Sequence, residues 1–157
     1  MKTLLTFCTT ISLLFIIPVL RSEETNAKDE AALQATMAGI SKGFAEGDVD
    51  AVMKYHHPDV MKALNYTKVL AGREAVRADM AGTFGSFRLE FIEHHIESLL
   101  IKDGYAIEQT TFAVKGTPKN GGEPWIFRGR AMVLYVRYAD SPSGWASLRE
   151  MVQPADK

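Results

Sequence analysis

Apolar side chains recur at steps of three and four through the first half of this chain and at every second position through the second half. Leu33, Met37, Ile40 and Phe44 mark one face of a helix over 29–46. Asp29 and Glu30 fall in its first turn, where acidic groups suit the helix dipole, and Gly47 fits the left-handed stop position. Asp48 can cap a second, shorter helix that runs to about His56, with Val49, Val52, Met53 and His56 on its inner face and Pro58 ending it. A short extended piece follows at Lys62–Tyr66. Gly72 opens a third helix through Val76, Met80, Phe84 and Phe87, weakened in its second half by Gly82 and Gly85.

From Arg88 the period becomes two, which predicts four long strands: Arg88–Lys102, Tyr105–Lys115, Trp125–Tyr138 and Trp145–Val152. Asp103-Gly104 is a hairpin signal between the first pair. Pro118–Pro124 reads as a longer loop and Asp140–Gly144 as a turn. Strands this long must curl to bury one face, so the fold class is α+β, with the helices packed into the concave side of an antiparallel sheet.

The first 27 residues stand apart from this organisation. Lys2 precedes an uncharged run from Leu4 to Leu20, and polar residues follow at once. This is the form of a secretory signal peptide, cut after Ala27 or, less well placed, after Ser22. A retained N-terminal anchor is the alternative, although Thr6, Thr9, Thr10, Ser12 and Pro18 weaken a membrane span. Residues 22–28 read as a polar linker, and the domain as 28–157. The expected location is outside the cytoplasm, secreted or periplasmic.

Cys8, the only cysteine, falls inside that segment. A processed chain would have no disulfide, thiolate or cysteine-ligated metal, and its core alone would have to hold it together. The 18 Lys+Arg balance 19 Asp+Glu without a basic block, which disfavours nucleic acid and, after cleavage, anionic membranes as partners.

Several stretches, taken in order, carry a resemblance: Phe44-Ala45-Glu46-Gly47-Asp48-Val49-Asp50-Ala51-Val52, Tyr55-His56-His57-Pro58-Asp59-Val60, Ala71-Gly72-Arg73-Glu74-Ala75-Val76, Ala106-Ile107-Glu108, Gly129-Arg130-Ala131 and Gly144-Trp145. Over roughly Asp29 to Gln153 the chain resembles the nuclear-transport-factor-like superfamily, which includes SnoaL-like polyketide cyclases and ketosteroid isomerases. The resemblance implies a cystatin-like cone: a curved sheet of four long strands and one short strand around three N-terminal helices. It also implies a pocket between sheet and helices, and a homodimer through the outer sheet face. It does not imply one activity. Ketosteroid isomerases carry a catalytic Asp on the short strand, and the corresponding Met61-Lys62-Ala63-Leu64 holds no carboxylate. A second acid expected near Gly129–Met132 is also absent.

Glu108 is therefore the candidate catalytic residue. It lies mid-strand among Ala106, Thr110, Phe112 and Val114, and a carboxylate on that face needs a cation or hydrogen-bond donors. Arg130 and Arg149, mid-strand on the following strands, are the expected partners. The competing reading is a Glu–Arg pair that only fixes the sheet. Tyr55 and Tyr66 are placed at the pocket mouth and Phe84 in its wall. The aromatics Trp125, Phe127, Tyr135, Tyr138 and Trp145 line the pocket or cover the outer face. His56-His57 and His94-His95 are adjacent pairs without ligand spacing, and only one of the second pair can face inward from a strand, so they read as structural rather than as a metal site. Asn65-Tyr66-Thr67 is a glycosylation sequon that matters only in a eukaryotic source. No feature calls for a cofactor. The expected ligand is a small, largely apolar molecule, with either general acid–base catalysis, simple binding or homodimeric interaction as the function.

Overall fold

The computed structural model describes residues 17–155, with side chains from residue 27 onward. Most of the apolar run and Cys8 lie outside the described residues. Among those described, no helix is long and apolar enough to cross a membrane.

Helix α1 spans Ile17–Glu46, α2 Val49–Met53 and α3 Arg73–Ser86. The strands are β1 His56–Ala63, β2 Val69–Ala71, β3 Phe87–Lys102, β4 Tyr105–Pro118, β5 Trp125–Arg137 and β6 Trp145–Pro154. They form one six-stranded sheet in the order β2-β1-β6-β5-β4-β3, antiparallel except where β1 runs parallel to β6. Helix α1 packs on β3, β6 and α2, and α3 packs on β1, β2 and α2. This is the expected helices-in-a-curled-sheet architecture, with one edge strand more than anticipated. Val69-Leu70-Ala71 is too short to display an alternation.

Three local readings need correction. The stretch 22–28 is helical, because Glu23, Glu24, Ala27 and Lys28 favour helix and neither Gly nor Pro interrupts it. Asp29 consequently lies well inside α1 and not in its first turn; it is buried and paired with Arg137 of β5. The second helix stops at Met53, and Pro58 sits within β1 and does not terminate a helix. Pro58 is tolerated because β1 and β6 lose regular pairing between His56 and Met61.

The remaining signals are met as physics requires. Asp48 caps α2 through a 2.9 Å bond from the Ala51 amide to Oδ1. Asp103 (φ 50°) and Gly104 (φ 86°) both adopt left-handed backbone, the requirement of a two-residue hairpin that follows the strand twist.

The core has two halves. Ile40, Val52, Met53, Val76, Met80 and Phe84 fill the side under α2 and α3. Leu33, Ala106, Tyr135, Trp145 and Val152 fill the side under α1. Phe112 touches both.

Candidate functional site

Between the sheet and the helices lie two adjoining cavities. The outer one, about 360 Å³, is walled by Met80, Phe84, Leu89, Phe127 and Trp125, with Asn65, Lys68 and Asp79 also lining it. The Lys68–Asp79 ion pair (2.5 Å) ties the β1–β2 loop to α3. The inner one, about 90 Å³, is lined by His56, His94, Glu108, Thr110, Tyr135 and Ser147. Phe44, Phe91, Phe112, Lys62 and Glu150 border both. The three phenylalanines touch in sequence, with ring centroids 5.0 Å apart for Phe44–Phe91 and 6.2 Å for Phe91–Phe112.

The polar groups are placed by strand register. Lys62 is opposite Glu150, Glu150 opposite Val133, Val133 opposite Glu108, and Glu108 opposite Leu99. This single row crosses the interior face of five strands and carries both inner carboxylates. Lys62 Nζ is 2.5 Å from Glu150 Oε2. Glu108 is 2% exposed, and its Oε1 has no hydrogen-bond partner among the described residues. Its ion-pair contact among the described residues is with His94 Nε2 at 3.6 Å, outside hydrogen-bond distance and dependent on protonation of that ring.

His56 is fully buried, and burial first, then the positive charge of Lys62, holds its pKa well below the ordinary value. The ring is therefore neutral. Its Nδ1 lies 3.0 Å from the Val52 carbonyl, which can only accept, so Nδ1 carries the proton and Nε2 is a bare acceptor. Among the described residues Nε2 has no partner, and neither does Ser147 Oγ. Burial, then the negative charges of Glu108 and Glu150, push the Tyr135 hydroxyl well above its ordinary pKa, so it remains a donor. It now donates only to Met37 Sδ at 3.4 Å, a weak acceptor. Thr110 is engaged elsewhere, donating to the His95 carbonyl at 2.8 Å.

Among the residues expected from sequence, Glu108 and Phe84 line the cavities. The other four do not. Arg130 points to the opposite face of the sheet, where Nε and Nη2 each bond Glu97 at 2.8 Å. That pairing, with a bond from Gln109, holds the Glu97 carboxyl down at about 2. Arg149 is exposed and donates to the backbone carbonyls of Asp59 and Leu148. Parity explains both: Val133 and Glu150 face inward, so Arg130 and Arg149, an odd number of positions away, face outward. Tyr66 is fully exposed on the β1–β2 loop. Tyr55 packs against the core with its ring over Gly39 of α1, where a Cβ would come within 2.2 Å of it.

Of the aromatics on the last strands, Trp125 and Phe127 wall the outer cavity and Tyr135 the inner one, while Trp145 is core. Tyr138 meets the His57 ring edge to face, with centroids 5.1 Å apart. His56, His94, Lys62 and Glu150 were not singled out from sequence as site residues, and Tyr135 only as one of the aromatics that line the pocket or cover the outer face. The available signal was the alternation itself, since Glu150 and Tyr135 share the parity of buried neighbours. Among the described residues no three His, Asp or Glu side chains are grouped to hold a metal ion.

The fold is shared with solved structures. A candidate scytalone dehydratase from Novosphingobium aromaticivorans is similar at a TM-score of 0.72, with 16% identity over 85% of this chain and 89% of that one. A ketosteroid isomerase-like protein from Erwinia carotovora atroseptica is similar at 0.66, with 15% identity over 81% and 96%. A nuclear transport factor 2-like protein with a cystatin-like fold, also from Novosphingobium aromaticivorans, is similar at 0.69, with 14% identity over 91% and 92%. The chain therefore has the nuclear-transport-factor-2-like cone fold. At such identities the likeness fixes the fold and not the chemistry. No protein-family model and no curated protein matches the sequence.

Proposed function

We propose that this chain is an exported pocket protein that binds a small, largely apolar molecule and acts on its polar end by proton transfer, with Glu108 as the acid–base group. One observation carries the reading. Three buried polar atoms without partners among the described residues, on His56, Glu108 and Ser147, gather at one small chamber behind an apolar cavity. A buried polar atom left unmet costs about 1–3 kcal/mol, so the chamber favours an occupant with polar atoms of its own. A dry apolar wall leading to a few convergent polar groups is the usual form of a ligand site. Glu108 as carboxylate, His56 as bare acceptor and Tyr135 as donor supply the elements of general acid–base catalysis within one chamber. The dehydratase and isomerase-like neighbours use the same fold, which agrees with this chemistry. Export rests on the Leu4–Leu20 run.

The test is occupancy. The neutral fluorophore N-phenyl-1-naphthylamine is expected to bind saturably at one site per chain. Thr83→Trp, which narrows the outer cavity, is expected to weaken it by about tenfold while melting stays within about 2 °C. Absence of saturable binding would count against a ligand pocket.

A homodimer through the outer sheet face is part of the same proposal. Met132 and Met151 are directly paired across β5 and β6 on that face and are 53% and 67% exposed, with Ile126 and Leu100 also exposed on it. An apolar surface of this kind favours a partner.

A further inference from the structure

Resting on the pocket reading above, we propose that the ligand's polar end is an amine, bound as its ammonium against Glu108. The inner chamber has a surplus of acceptors and negative charge. Glu150 is answered by Lys62 at 2.5 Å, but Glu108, the more deeply buried of the two, has only His94 at 3.6 Å among the described residues. The two arginines that could have neutralised it are on the far face. A buried carboxylate is ordinarily met by a cation with hydrogen bonds, and here the protein leaves that place to the ligand.

The hydrogen-bond inventory agrees. Among the described residues His56 Nε2 and Glu108 Oε1 are both bare acceptors; the unpartnered Ser147 hydroxyl can supply one donor between them, and the Tyr135 donor is already turned toward Met37. An ammonium offers three N–H groups and can meet both acceptors; an alcohol offers one O–H and can meet only one. A carboxylate ligand would place like charge beside Glu108. The route in passes Phe44, Phe91 and Phe112, whose ring faces attract a cation, and the Lys62 charge on that route is already matched by Glu150 at 2.5 Å.

Three probes share one bicyclic body and differ at the polar end: 2-naphthylmethylamine, 2-naphthylmethanol and 2-naphthoate. Calorimetric titration into the full chain at neutral pH is expected to rank the amine about tenfold tighter than the alcohol, with the naphthoate weakest. Glu108→Gln is expected to bring amine and alcohol to within about twofold of each other. An alcohol as tight as the amine, a preference for naphthoate, or an amine preference that survives Glu108→Gln would overturn the assignment. The ranking in the unmodified chain stands on its own if that variant does not fold. Failure of the amine to bind while N-phenyl-1-naphthylamine does bind overturns the amine alone; failure of both removes the pocket reading with it.

Discussion

Glu108 and His56 occupy the same chamber but are held there by different physics. Glu108 faces inward with its strand neighbours Ala106 and Thr110; the alternation put the three on one face without saying which face is interior. Its expected arginines failed because they alternate with the inward-facing Val133 and Glu150, and apolar residues such as Met132 and Met151 on the outer face hide that parity in the sequence. Glu108→Gln is expected to abolish turnover while moving the melting temperature by less than about 3 °C, since no strong pair is broken. A large drop in melting temperature with activity retained would assign Glu108 to the sheet alone. His56 gives a pH signature. Its folded-state pKa lies well below the ordinary histidine value, so the unfolded chain takes up a proton that the folded chain refuses. Stability is therefore intact above about pH 6.5 and falls as pH drops below it, by up to about 1.4 kcal/mol per unit until the folded ring itself protonates. Urea denaturation at pH 7 and pH 5.5 should differ by about 1 kcal/mol from this ring, and His56→Gln should flatten that difference whatever its own effect on stability. An unchanged slope in the variant would contradict the neutral, buried ring.

The elements divide the work between positioning the cavity and closing it. Helix α1 is clamped by Arg137, which pairs with Asp29 and lies 4.2 Å over the Trp145 ring. Half of the Arg137 side chain is exposed, so screening weakens the pair, but Asp29 is left buried without it. Arg137→Ala is expected to cost about 2 kcal/mol, read as a lower urea midpoint with unchanged slope. Strand β4 uses Gly116 to admit Trp125: a Cβ there would fall 2.1 Å from the indole. Gly116→Val should displace Trp125 from the cavity wall and weaken N-phenyl-1-naphthylamine by about tenfold. The helix and strand boundaries were legible wherever a turn carried its own signal, as at Gly47, Asp48, Gly72 and Asp103-Gly104. They were not legible at His56, where helical spacing continues past the real end of α2 and the chain turns into a strand parallel to β6. That non-local pairing, invisible in any window of sequence, is what brings Lys62 to Glu150.

For the molecule as a whole, the order of elements and the phase of their apolar faces were enough to reach the cone, because each element's buried stripe is self-consistent with it. The cavity was less legible, since it is built from six strands and two helices and depends on side chains that fail to meet. If the outer face pairs two copies, sedimentation should show a dimer that Met132→Lys with Met151→Lys converts to monomer without loss of ligand binding. A wild-type monomer at high concentration would sink that interface. The pocket itself is best judged by native mass spectrometry of the protein purified from its own host, alongside Glu108→Gln. The expected spectrum shows one small molecule per wild-type chain and its loss in the variant. Bare wild-type chain that also refuses N-phenyl-1-naphthylamine would contradict the account.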